Sequence, residues 1–105
     1  MMEINSLTTQ LLISLRKIKN ERQGGGDCYL FGSALTQNNP RDIDLLLVYD
    51  YDKIDLTSVL ILKKKLCRVL GEDLGKNIDL CSLSKSESIQ SSFIVEENCQ
   101  FLISL

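Results

Sequence analysis

Tyr29-Leu30-Phe31-Gly32-Ser33 and, after a short polar loop, Pro40-Arg41-Asp42-Ile43-Asp44-Leu45-Leu46-Leu47-Val48-Tyr49 are the stretches on which the reading of this chain turns. The first is an apolar run that ends in Gly-Ser. The second is an apolar run opened by two aspartates one residue apart. Side chains two apart on a β-strand share a face, so a strand here sets the Asp42 and Asp44 carboxylates side by side. Hard divalent cations such as Mg2+ take carboxylate oxygens, commonly one or two of them together with substrate phosphates. Gly32 lets a phosphate approach the backbone closely, and Ser33 adds a hydroxyl and an amide donor at the same place. Together these residues outline a site for a nucleoside triphosphate and its metal.

Working outward, Cys28 to Phe31 reads as the first strand and the run from Arg41 as the second. Leu45 to Val48 is apolar on both faces, the pattern of a central strand covered on each side. Between the strands, Ala34 to Gln37 can make one helical turn before Asn38-Asn39-Pro40 breaks it, which places Ser33 at a helix N-terminus. Upstream, Ile4, Leu7, Leu11, Leu15 and Ile18 recur every three or four residues, the stripe of an amphipathic helix over residues 4 to 19. Arg16, Lys17 and Lys19 suit the negative end of its dipole. Gly24-Gly25-Gly26 stops that helix and reads as a hinge, because no Gly-Lys-Ser/Thr follows to make a phosphate loop.

Downstream, Asp50 to Asp55 is an acidic connection, and Asp55 or Thr57 can cap a helix with Val59, Leu62, Leu66, Val69 and Leu70 on its core face. Lys63, Lys64, Lys65 and Arg68 read as its solvated surface, and Gly71 and Gly75 mark its end. Asn77 to Leu83 reads as a third strand on which Asp79 points opposite to Ile78 and Leu80. Ser84-Lys85-Ser86-Glu87 has capping-box spacing, which predicts a last helix to about Glu97 with Ile89 and Phe93 turned inward. Cys99 to Leu105 reads as a short terminal strand, with Phe101-Leu102-Ile103 available to a partner or a second copy. The fold class expected is α/β (α+β), in two or three layers: a small mixed β-sheet with helices packed on it.

A chain of 105 residues reads as one domain, residues 1–105, with length for one core. Hydrophobic residues at 44% and charged residues at 25% are ordinary for a globular protein, so neither disorder nor a fibrous class is indicated. The longest apolar runs are too short to span a membrane and no signal peptide is evident, so a cytoplasmic location is expected. With a net charge of −2 and basic residues offset by nearby acids, no broad positive surface is expected for a long nucleic acid. Cys28, Cys67, Cys81 and Cys99 lie far apart without Cys-x-x-Cys spacing, and the chain has no histidine, which argues against zinc. Cys28 and Cys81 sit in apolar strand-like runs and read as small buried hydrophobes.

The order Gly32-Ser33, then Asp42-x-Asp44 on the next strand, resembles the signature of the polymerase-β-type nucleotidyltransferase superfamily. At this length the chain is similar to its minimal members. The resemblance extends by motif over residues 27 to 83 and matches Asp79, in Asn77-Ile78-Asp79-Leu80-Cys81, to the third carboxylate of that family. It implies a nucleotidyltransferase fold and transfer of a nucleoside monophosphate, AMP from ATP, to a hydroxyl of a protein or small molecule with two Mg2+ ions or Mn2+. By the same resemblance, Asp42 and Asp44 hold both ions and the triphosphate. Asp79 binds the catalytic ion and helps deprotonate the acceptor. Gly32, Ser33 and Arg41 contact phosphates. A small helical partner of the HEPN class, as toxin to this chain's antitoxin, is also implied, with a homo-oligomer as the other assembly.

Plainer readings compete with this one. Asp42 and Asp44 could be a polar pair at a strand edge, salt-bridged to Arg41 and a lysine, Gly-Ser a simple turn, and Asp79 an exposed strand residue. Their conjunction decides for the site, because three aspartates fall in otherwise apolar strands, where aspartate is disfavoured and a cation offsets the clustered charge. Relatives of the superfamily often carry a basic residue shortly after Gly-Ser. Ala34 to Gln37 supplies none, and only eight residues separate Ser33 from Asp42. A catalytically inactive chain that keeps the fold as a binding or regulatory partner is therefore the alternative. An antibiotic-modifying nucleotidyltransferase fits less well, because those enzymes carry a further helical region for the acceptor.

Overall fold

Two helices close the apolar face of the sheet, and their stripes explain why. The computed structural model describes residues 6–21, 24–37 and 39–105; Ile4 and Asn38 of the sequence reading lie outside them. Helix α1 (Ser6–Glu21) buries Leu7, Leu11, Leu15 and Ile18. Helix α2 (Leu56–Leu74) buries Val59, Leu62, Leu66 and Leu70, with Val69 packed at the margin. Asp55 caps α2 by accepting from Ser58 N at 2.7 Å, and Gly75 ends it in the left-handed conformation at φ +64°. Across the two helices Ser14 Oγ donates to Asp73 Oδ2 at 2.7 Å, Lys17 lies 3.6 Å from the same carboxylate, and Lys65 pairs with Glu21.

Among the described residues the sheet has four strands in the order β3-β2-β1-β4: β1 (Asp27–Phe31), β2 (Asp42–Tyr49), β3 (Asn77–Ser84) and β4 (Gln100–Ser104). β1 runs antiparallel to both β2 and β4, while β2 and β3 are parallel, so the sheet is mixed as expected. Cys28 and Leu30 of β1 and Ile43, Leu45, Leu47 and Tyr49 of β2 face the helices. On the other face, Leu46 and Val48 are also buried, with α3 packed over that half of β2 and β3. The result is two layers and part of a third. No helix among the described residues is long and apolar enough to cross a membrane.

Three expectations need correction. The triple glycine is not a loose hinge. Gly24 N and Gly25 N donate to Leu105 O at 2.9 and 3.0 Å, and Leu105 N donates to Gly26 O at 2.7 Å, tying the loop to the end of β4. A Cβ at Gly26 would lie 2.3 Å from Val48 O, so close backbone packing, not flexibility, calls for glycine there. The last helix is two short ones, α3 (Lys85–Ser91) and α4 (Phe93–Glu96), broken at Ser92 with φ +55°. The capping box is present, Ser84 Oγ accepting from Glu87 N and Glu87 Oε1 from Ser84 N, but α3 turns Ser88 inward and leaves Ile89 exposed. Cys81 is exposed, unlike Cys28, because its alternating position falls on the half-open face of an edge strand.

Candidate active site

The carboxylates gather through strand pairing, not through proximity in sequence. Asp42 and Asp44 alternate with the core residues Ile43 and Leu45 and so face away from α1 and α2. The parallel register of β2 and β3 then sets Asp79 directly beside Asp44 and Asn77 beside Asp42. Asp42 and Asp79 are exposed and Asp44 is half-buried, at the end of the face that α3 leaves open. Among the described residues the ion pairs lie elsewhere, so Asp42 is not paired with Arg41. Arg41 is exposed at the mouth of β2.

Gly32 explains how β1 meets this cluster. It has φ +74°, and a Cβ built on it would stand 2.3 Å from Asp44 Oδ2 and 3.1 Å from Asp44 Cγ. Only glycine fits both the conformation and the space. The 3₁₀ turn Gly32–Leu35 begins there, with Ser33 half-buried in its first positions, so the helical turn starts two residues earlier than the sequence suggested. Ser33 O accepts from Thr36 N and Gln37 N at 3.1 and 2.8 Å, which closes the turn. Beside it, Phe31 lies across the ladder from Asp44 and meets Phe93 edge to face, with centroids 5.1 Å apart.

This environment acts on Asp44. Burial pushes its carboxyl above the ordinary value, and the negative charges of Asp79 and then Asp42 push it further the same way. Among the described residues no three acidic or cysteine side chains converge closely enough to hold one ion as they stand. Asp42 Oδ1 accepts from Asn77 Nδ2 at 3.2 Å, an amide on the strand that also carries Asp79. The donor set nevertheless suits a hard cation, with carboxylates on adjacent strands and Gly32 leaving no side chain between Asp44 and the turn.

Two contributors had no sequence signal. Lys76 Nζ donates to Asn39 Oδ1 at 2.7 Å and to Pro40 O at 2.6 Å, clamping the loop that delivers Asp42. Asn77 acts through its amide on Asp42. Both depend on the β2–β3 register, which no local spacing encodes. A hollow of about 270 Å³ lies at the opposite end of β2, lined by Gly26, Tyr49, Asp50, Lys53, Lys85 and Ser104 among others. It contains none of the three candidate carboxylates, which lie on the open sheet face.

No protein-family model matches the chain, and no curated protein sequence matches it. Its fold does have counterparts: the small mixed sheet with packed helices is nucleotidyltransferase-like and is shared with chains of solved toxin–antitoxin complexes. One counterpart is a chain of a toxin–antitoxin complex solved with AMP-PNP, with 22% identity over 90% of this chain and 73% of that one and a TM-score of 0.58. A second comes from a tri-AMPylated Shewanella oneidensis HEPN toxin in complex with its MNT antitoxin, with 20% identity, 93% and 73% coverage and a TM-score of 0.58. A third is from an MntA–HepT toxin–antitoxin complex, with 19% identity, 92% and 73% coverage and a TM-score of 0.55.

Proposed function

We propose that this chain is a nucleotidyltransferase that moves AMP from ATP onto a hydroxyl of a protein partner, as the antitoxin beside a HEPN-type toxin. The observation that carries the reading is the set of Asp42, Asp44 and Asp79 on one open face, with Gly32 seated against Asp44. Support also comes from the shared fold, seen in complexes that contain AMP-PNP or an AMPylated HEPN toxin.

In this reading Gly32 and Ser33 receive the outer phosphates, and Arg41 reaches them from the mouth of β2. Asp42, Asp44 and Asp79 would hold Mg2+ or Mn2+, whose charge neutralises the triphosphate and stabilises the attacking and leaving oxygens of an in-line displacement. Asp79, exposed at the outer side of the cluster, accepts the acceptor hydroxyl's proton on its carboxylate. The acceptor oxygen bonds to the α-phosphorus, the bond from that phosphorus to the α–β bridging oxygen breaks, and pyrophosphate departs with the electron pair.

The test is a melting curve with ATP and Mg2+ or Mn2+. A ligand that binds only the folded chain raises its Tm by mass action. The rise should appear in the wild type and vanish in the Asp42→Asn, Asp44→Asn double variant; a rise that survives there would contradict the site. The second reading, a non-catalytic partner with this fold, is favoured by the engagement of Asp42 with Asn77 and by the absence of a basic residue in Ala34 to Gln37. It predicts binding to the partner with no label transferred from α-labelled ATP.

A further inference from the structure

The sheet has two outer edges, and they are built differently. At β4 the ladder slips: Ile103 pairs with Cys28 and Phe101 with Tyr29, leaving Leu102 without an opposite residue. Such a bulge twists an edge away from further pairing. β3 carries no such device. It pairs with β2 in unbroken register from Asn77 to Ser84, and its sequence holds no lysine, arginine or proline, its one charged side chain being Asp79 on the site face.

The side from which its backbone groups can be reached follows from one bond. Asn77 N donates to Arg41 O at 3.3 Å, so that N–H faces β2. In a parallel pair, alternate residues turn both backbone groups to alternate sides, which leaves the N–H and C=O of Ile78, Leu80 and Ser82 facing outward. No strand among the described residues takes them up. Asp79 lies within this same strand, exposed on the site face, on the side of the cluster away from Gly32 and Ser33.

We infer that the acceptor is presented as an extended polypeptide segment that adds to the outer edge of β3 and places a long hydroxyl-bearing side chain beside Asp79. The inference rests on the nucleotidyltransferase reading and names how its acceptor docks. A strand added there lies about 4.8 Å from β3, and a residue opposite Asp79 has its side chain on the same face. With the phosphates at the Gly32 turn, an in-line attack on the α-phosphorus comes from the opposite side, which is the β3 side. Main-chain bonds supply the affinity and the side chain at the Asp79 position supplies the specificity.

Two acceptors separate this inference from the reading beneath it: N-acetyl-tyrosine amide, which cannot pair as a strand, and a pool of synthetic 11-residue peptides with one central tyrosine. Each is incubated with α-labelled ATP and Mg2+. Peptides should be labelled about 10- to 100-fold faster than the amide, the effect of a few main-chain hydrogen bonds. Ser82→Pro removes an outward N–H at an edge position where proline is tolerated, and should erase most of that advantage while sparing transfer to the amide. Peptides N-methylated on alternate residues should lose it with the wild-type protein, so the outcome does not depend on the folding of Ser82→Pro. Equal labelling of peptides and amide, or an advantage that survives both changes, overturns the edge docking. Label on neither acceptor overturns the transferase reading, and the docking with it.

Discussion

Alanine at Gly32 should separate the stability of the fold from the integrity of the site, with Gly75 as its control. Both glycines lie in the left-handed region, at φ +74° and +64°, where an L-residue costs about 1–2 kcal/mol. A Cβ at Gly75 meets nothing within 4 Å, so Gly75→Ala isolates that backbone cost. At about 4–8 °C per kcal/mol for a domain near this size, its Tm should fall by roughly 5–15 °C with the nucleotide response intact. Gly32→Ala carries the same backbone cost and also brings its Cβ to 2.3 Å from Asp44 Oδ2 and 3.2 Å from Asp44 Cβ. The oxygen is the end of a rotatable side chain, so Asp44 can swing aside for a further cost of about 1 kcal/mol. That swing takes the carboxylate out of the cluster. Gly32→Ala should therefore melt only a few degrees below Gly75→Ala yet show no Tm rise with ATP and Mg2+. If the two variants match in both stability and nucleotide response, the contact between Gly32 and Asp44 does not organise the site.

Asp44 gives a pH signature. Its carboxyl is held above the ordinary value of 3.8 in the folded chain, so the folded state binds that proton more tightly than the unfolded state, and stability falls as pH rises from 3.8 through the folded value. In metal-free buffer Asp44→Asn should be more stable than wild type at neutral pH, and the difference should disappear in acid; denaturant melts across the range check this. Ser84→Ala removes one side of the capping box and should cost about 1 kcal/mol by urea denaturation, with ATP binding unchanged. Burial pushes the Cys28 thiol up to about 12, whereas Cys81 is exposed two residues beyond Asp79. A thiol reagent should therefore modify Cys81 and spare Cys28, with ATP and Mg2+ slowing the reaction at Cys81; mass mapping of the labelled peptides reads the outcome.

The helices and strands were legible wherever periodicity carried them, but the order of the strands in the sheet was not. The stripes of α1 and α2, the doubly apolar Leu45 to Val48 and the alternation around Asp79 all depend on burial of one or both faces, a constraint written along the chain. Local chemistry was legible too: Asp55 and Ser84 cap the helices as their spacing indicates. What the chain did not announce depends on distant partners. Gly24 to Gly26 looked loose because their bonds to Leu105 join opposite ends of the sequence. Ile89 looked inward because apolar residues usually take the inner face, whereas α3 buries Ser88 instead; the break that ends it at Ser92, a left-handed non-glycine residue, has no sequence signature either. Asn77 and Lys76 reach the site only through the parallel β2–β3 register, which a motif search over single segments does not contain. Cys81 looked buried because an apolar run says nothing about whether its strand lies at an edge.

The division of labour proposed for the three aspartates is tested most directly in Asp79→Asn, by following label from α-labelled ATP into the partner beside a calorimetric titration of ATP with Mg2+. A group that acts chiefly in the transition state lowers turnover far more than ground-state affinity. Label transfer should be lost while ATP still binds within a few-fold of wild type. Transfer at the wild-type rate in Asp79→Asn would contradict the account.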